Sequence, residues 1–139
     1  MNPYKTNFSF SELNLLGDFT YQINEQHRDK NPNKSQWIVS PKEEVEIFVD
    51  SYRNSWFDND HISFGIKLNN SNLIVLGKTK NNLDSKVAKF SMNSKLWHGY
   101  PADLSMLKDI PSTIVLCEWC NLGYISKRQF NRIVQGRGI

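Results

Sequence analysis

Between residues 45 and 68 the spacing of apolar residues changes from one period to another, and that change confines the chain to a mixed α+β fold. Val45, Phe48, Val49, Tyr52 and Trp56 stand at i, i+3, i+4, i+7 and i+11, the stripe of an amphipathic helix. Ile62, Phe64, Ile66 and Leu68 then alternate with His61, Ser63, Gly65 and Lys67, the pattern of a strand with one buried face. Asn69-Asn70-Ser71-Asn72 reads as a hairpin loop with Leu73–Leu76 returning, because Asn tolerates left-handed backbone. After a polar loop over about Thr79–Ser85, Val87–Met92 and Leu96–Tyr100 read as two more strands.

Helix starts are written in one repeated form, a serine followed three residues later by Glu or Gln: Ser9 with Glu12, Ser40 with Glu43, and Ser126 with Gln129. Pro41 reinforces the second start, since its missing N–H costs nothing at the first helical position. Phe8 with Leu13 and Ile125 with Phe130 stand at staple spacing around the first and third. The first start predicts a helix over about Phe10–His27, with Leu15, Phe19 and Ile23 in its stripe. Near the other end Pro111 opens a helix that directs Ile114, Val115, Trp119 and Leu122 inward and stops at Gly123. The helix after Ser126 carries Phe130, Ile133 and Val134 and stops at Gly136. The expectation is a single α+β domain over residues 1–139, an antiparallel meander of three to four strands with two N-terminal helices and a C-terminal helical hairpin.

The aromatic content, 12%, suits a packed core rather than a disordered chain. No apolar run approaches the ~20 residues that span a bilayer, and Met1–Lys5 lacks a signal-peptide apolar region, so a soluble, cytoplasmic protein is expected. The net charge of +3 is unevenly placed. Residues 41–60 carry Glu43, Glu44, Glu46, Asp50, Asp58 and Asp60 against Lys42 and Arg53, whereas residues 121–139 carry Lys127, Arg128, Arg132 and Arg137 with no acid.

Four groups of residues bear on chemistry. Cys117 and Cys120 form a Cys-x-x-Cys pair, readable as a zinc half-site or a redox dithiol. The pair has no second Cys pair to complete a zinc site and lies mid-helix, so it reads better as two half-buried thiols, with no metal or cofactor expected. Asp58, Asp60 and His61, with His98 as a further base, offer the donors of a small metal-dependent hydrolase, but equally the residues of a polar turn. Trp97-His98-Gly99-Tyr100-Pro101-Ala102-Asp103 combines anchoring aromatics with Gly and Pro, as a rigid recognition loop would, or bends a strand with its aromatics in the core. The basic last helix could meet phosphates as a helix-turn-helix does, although the low overall charge opposes a dedicated nucleic-acid binder.

The chain carries no Gly-rich phosphate loop, no Ser nucleophile elbow and no HExxH motif. The reading that follows is a small protein-binding inhibitor, an immunity or antitoxin protein of a bacterial cell, which occludes a basic partner and is not expected to catalyse a reaction. Its partner-binding residues would be Glu43, Glu44, Glu46, Asp50, Asp58, Asp60, Trp97 and Tyr100. A nucleic-acid-binding protein using the basic end, or the metal-dependent hydrolase, are the alternatives.

Overall fold

The computed structural model describes residues 7–9, as backbone, and 20–139. The chain order is β1 (Asn7–Ser9), β2 (Thr20–Gln22), β3 (Gln36–Trp37), α1 (Pro41–Arg53), β4 (Phe57–Asn59), β5 (Ile62–Gly65), β6 (Leu68–Asn69), β7 (Asn72–Leu73), β8 (Gly77–Lys78), β9 (Asp84–Ser85), β10 (Ala88–Asn93), β11 (Leu96–Pro101), α2 (Thr113–Asn121) and α3 (Lys127–Val134). The mixed α+β class holds, but the layout differs from a meander. A six-stranded sheet runs β1-β2-β11-β10-β5-β4, with a three-stranded sheet β3-β8-β9 and the hairpin β6-β7 separate from it. The pairs β4–β5, β5–β10, β10–β11 and β1–β2 are antiparallel, whereas β2 lies parallel to β11.

The helix expected over Phe10–His27 is corrected where the structure describes it; residues 10–19 and the Ser9–Glu12 cap lie outside the described residues. Residues 20–22 are a strand and Glu25–His27 a single 3₁₀ turn. The physical reason is visible in burial: Tyr21 and Ile23 are buried and Gln22 is less so, a period of two that overrides the four-residue spacing of Leu15, Phe19 and Ile23.

Local chemistry explains the elements that were legible. Ser40 accepts from Glu43 N and Glu43 reaches back to Ser40 N, so the box at the start of α1 is complete, and Ser126 with Gln129 repeats it on α3. The helix α2 starts two residues later than Pro111 implies, because Ser112 caps it. Two tight turns close hairpins on non-glycine residues in left-handed conformation, Asn70–Ser71 between β6 and β7 and Ser94–Lys95 between β10 and β11.

Alternation along the strands gives the large sheet two apolar faces. Ser63, Gly65, Ala88, Phe90, Trp97 and Gly99 turn toward α1, where Phe48 packs on Tyr21, Phe90 and Trp97 at centroid distances of 4.9, 5.2 and 5.0 Å. Gly99 is required there, since a Cβ would stand 2.2 Å from the Phe90 ring. The other face carries Phe64, which joins Val87, Val115, Leu116, Trp119, Ile125 and Ile133 in a second core under α2 and α3. Trp56 belongs to this second core and not to the stripe of α1. The helix ends at Arg53, Ser55 turns the chain at φ 58°, and Trp56 meets Trp119 edge-on at 5.6 Å.

The inward set of the helical hairpin is also corrected. Val115, Leu116 and Trp119 are buried, but Ile114, Leu122 and Val134 are 79, 50 and 47% exposed. Trp119 sets the phase of α2, and Leu116 rather than Ile114 shares its side.

Candidate functional site

Two regions collect the polar chemistry of the chain. The first is the acidic segment 41–60, whose carboxylates prove to have different jobs. Glu44 is fully buried. It accepts from Tyr21 Oη at 2.5 Å and from Arg28 Nε and Nη2 at 3.2 and 2.8 Å, while Arg28 Nη1 donates to Val39 O. Burial pushes the Glu44 carboxyl up to about 7 despite the lowering pull of Tyr21 and Arg28. Glu44 therefore ties β2, the 3₁₀ turn and α1 together and is not part of an acidic surface. Glu43 pairs with Lys67 at 2.8 Å, and that hydrogen bond, helped by Ser40, holds its carboxyl below the usual range. Asp58 accepts from Ser112 N at 2.9 Å and so anchors the start of α2.

Glu46, Asp50, Asp58 and Asp60 are solvent-exposed, and among the described residues none forms an ion pair. Partial desolvation, with Glu46 adding to it, raises the Asp50 carboxyl. Asp60 adds to the desolvation that raises the Tyr52 phenol, which places the β4–β5 turn beside the end of α1. Tyr52 and Phe57 meet there edge-on at 5.1 Å, both partly exposed. His61 lies in the same turn, exposed, but the donor set of a metal-dependent hydrolase is not assembled: among the described residues no group of three His, Cys, Asp or Glu side chains could hold a metal ion.

The second region is a polar cleft of about 290 Å³ around the end of β11. Residues 97–101, read from sequence as a loop or a bent strand, form β11. Trp97 is fully buried against α1, so it cannot serve as an exposed anchor. His98 and Tyr100 point the opposite way and line the cleft with His27, Lys34, Lys80, Asp103, Lys108 and Asp109. Tyr100 is half-buried too. Its ring stacks on His27 at 5.2 Å and its hydroxyl donates to Asp109 Oδ1 at 2.6 Å, with desolvation and that bond raising the phenol.

The cleft is built on a buried polar floor. Asp109, 2% exposed, also accepts from Asp103 N at 2.9 Å, and Lys89 Nζ stands 3.6 Å from it while donating to Lys108 O. Lys89 lies opposite both Tyr100 and Phe64 in the sheet, which is why its ammonium emerges between the cleft and the second core. The two imidazoles are oriented alike. His27 Nδ1 pairs with Ser35 O at 2.9 Å and His98 Nδ1 with Ser91 O at 3.1 Å, so each ring donates from Nδ1 and keeps Nε2 for other partners. Burial lowers both histidines, and the neighbouring charges of Lys34 and His98 further disfavour charge on His27, against the raising pull of Ser35 O and Asp29.

Sequence reasoning singled out the peptide holding His98 and Tyr100 but missed His27, Lys89 and Asp109. The signal was available in part: His98 and Tyr100 alternate with Gly99 and the core residue Trp97, which assigns them to one face once β11 is accepted. Cys117 is exposed and Cys120 partly so, both as free thiols on α2, so Cys117 corrects the half-buried expectation. Of the basic residues, Lys127, Arg128 and Arg137 are exposed, and Arg132 Nε donates to Gly138 O. Among the described residues no helix is long and apolar enough to cross a membrane. In comparisons with known proteins the chain matches no family model, no curated sequence and no solved structure.

Proposed function

We propose that the chain is a protein-binding inhibitor of the immunity or antitoxin kind, acting in the cytoplasm by covering the functional site of a basic partner. The observation that supports this reading is the patch where α1 meets the β4–β5 turn. Tyr52 and Phe57 present partly exposed aromatic surface, flanked by Asp50, Asp58 and Asp60, with Glu46 one turn away. An aromatic centre with a charged rim is the anatomy of a recognition surface, and a rim of one sign accelerates encounter with the opposite sign. The contact set is revised accordingly: Glu46, Asp50, Tyr52, Phe57, Asp58 and Asp60 replace a set that included Glu44, Trp97 and Tyr100.

The test is affinity capture from the source cell with the native protein and with a Glu46→Lys/Asp50→Lys/Asp60→Lys variant, which spares the structural bonds of Glu43, Glu44 and Asp58. The native protein should retain a strongly basic protein, with association slowed by added salt and abolished in the variant. Equal retention by both proteins would refute the reading. Retention of nucleic acid that disappears on reversing Lys127, Arg128 and Arg137 would replace it with the nucleic-acid alternative.

A further inference from the structure

We infer that the cleft between His27 and His98 is a binding site for the phosphate group of a small phosphate ester, one of mononucleotide size or less. Size comes first: about 290 Å³ is at the lower end of the range of ligand sites. Charge comes next. Lys34, Lys80 and Lys108 line the cleft and are exposed, and among the described residues none of the three has an acidic partner.

The two carboxylates of the cleft are already committed. Asp109 is engaged by Tyr100 Oη, Asp103 N and Lys89, and Asp103 Oδ1 accepts from Ser105 N and Ser105 Oγ. Of the two, only Asp103 lacks a cationic partner among the described residues, so three ammonium groups and two imidazole Nε2 atoms face a single carboxylate charge, an excess of donors. They come from separate places in the chain: His27 and Lys34 from the segment before β3, Lys80 from the β8–β9 turn, His98 from β11 and Lys108 from the turn before α2. Donors arriving from several sides outnumber the two oxygens of a carboxylate and suit the three terminal oxygens of a phosphate.

The histidines make the site specific. With Nδ1–H held by Ser35 O and Ser91 O, a proton gained by either ring goes to Nε2 and becomes a donor to the bound anion. His27 is faced by Tyr100, Lys34, Asp29 and His98. Besides burial, the neighbouring lysine and the second imidazole both oppose its charge, and a bound dianion would reverse that balance.

The histidine ring signals report the outcome by NMR. Inorganic phosphate and adenosine 5′-monophosphate should each shift the His27 and His98 signals saturably and raise the pH at which both rings titrate, while adenosine and sodium chloride at matched ionic strength should not. In a Lys34→Ala/Lys80→Ala/Lys108→Ala variant, whose replaced side chains are exposed, the rest of the spectrum should persist and affinity should fall by about tenfold or more, since charge-assisted bonds are lost. Flat histidine signals with both phosphate probes, equal shifts with adenosine, or unchanged affinity in the triple variant would each overturn the assignment. Response to inorganic phosphate without response to the ester would overturn the ester and leave a free-phosphate site. The cleft shares no lining residue with the patch on α1 and the β4–β5 turn, so failure of the α1 variants to lose a basic partner has no bearing on this result.

Discussion

Replacing Arg28 with alanine should destabilise the protein by about 3–5 kcal/mol, because it leaves the Glu44 carboxyl buried without its countercharge. Arg28 and Glu44 have side chains 6 and 0% exposed, so water cannot take over the role of either. The deficit should also depend on pH, with a defined sign. The Glu44 carboxyl titrates at about 7 in the folded protein against an ordinary 4.5, so its contribution is whole below the lower value and is lost as pH rises through the upper one. Removing Arg28 takes away a pull that lowers that carboxyl, so Arg28→Ala should be more damaging at pH 8 than at pH 5. The combined change Arg28→Met/Glu44→Met should recover part of the loss by replacing ions with apolar packing. Urea unfolding across pH checks all three statements. A small loss with no pH trend would mean that the pair does not join β2 to α1.

Phe48→Ala should cost about 3–5 kcal/mol, the usual result of opening a cavity that neighbours cannot fill. Phe48 is fully buried and touches Tyr21, Tyr52, Phe90 and Trp97, so the void would lie between α1 and three strands of the sheet. Ser40→Ala supplies the scale, since loss of a helix cap costs about 1 kcal/mol. Denaturation midpoints of the two variants would reveal the difference, and equal, negligible shifts would contradict the packing of α1 on the sheet.

What was legible in the sequence was local. The box at Ser40 and Glu43, the stripe Val45–Tyr52 and the turn at Asn70–Ser71 each depend on residues a few positions apart, and each is found where expected; the strand at Ile62 is found too, but it ends at Gly65 and buries Ser63 and Gly65 as well as Phe64, because α1 covers the face read as polar. What failed depended on distant partners. Ile23 fits a helical spacing with Leu15 and Phe19 as well as a strand with Tyr21, and only β11 beside them decides the matter. Glu44 looked like one carboxylate in an acidic run, yet Arg28, sixteen positions earlier, draws it inside. Ile114 and Leu122 were assigned inward from hydrophobicity alone, whereas the position of Trp119 against Trp56 turns α2 so that they face out. The cleft was half legible. His98 and Tyr100 sat in the peptide that stood out, but His27, Lys89 and Asp109 join them through sheet pairing and a turn that no short pattern encodes.

The parallel pairing of β2 with β11 has a kinetic consequence. Strands β10 and β11 are joined by a two-residue turn and can zip early, at little cost in loop closure. Tyr21 meets Trp97 only after most of the chain between them has been placed, so this contact contributes heavily to contact order and should form late. Until then β11 presents an unpaired edge, the situation in which sheets recruit a foreign strand. Pulse-labelled hydrogen exchange during refolding should show the amides of β10 and β11 protected before those of residues 20–22. Simultaneous protection would mean that β2 docks with the rest. If it docks late, the chain is most exposed to self-association in the interval when its central strands are paired and β2 is still free.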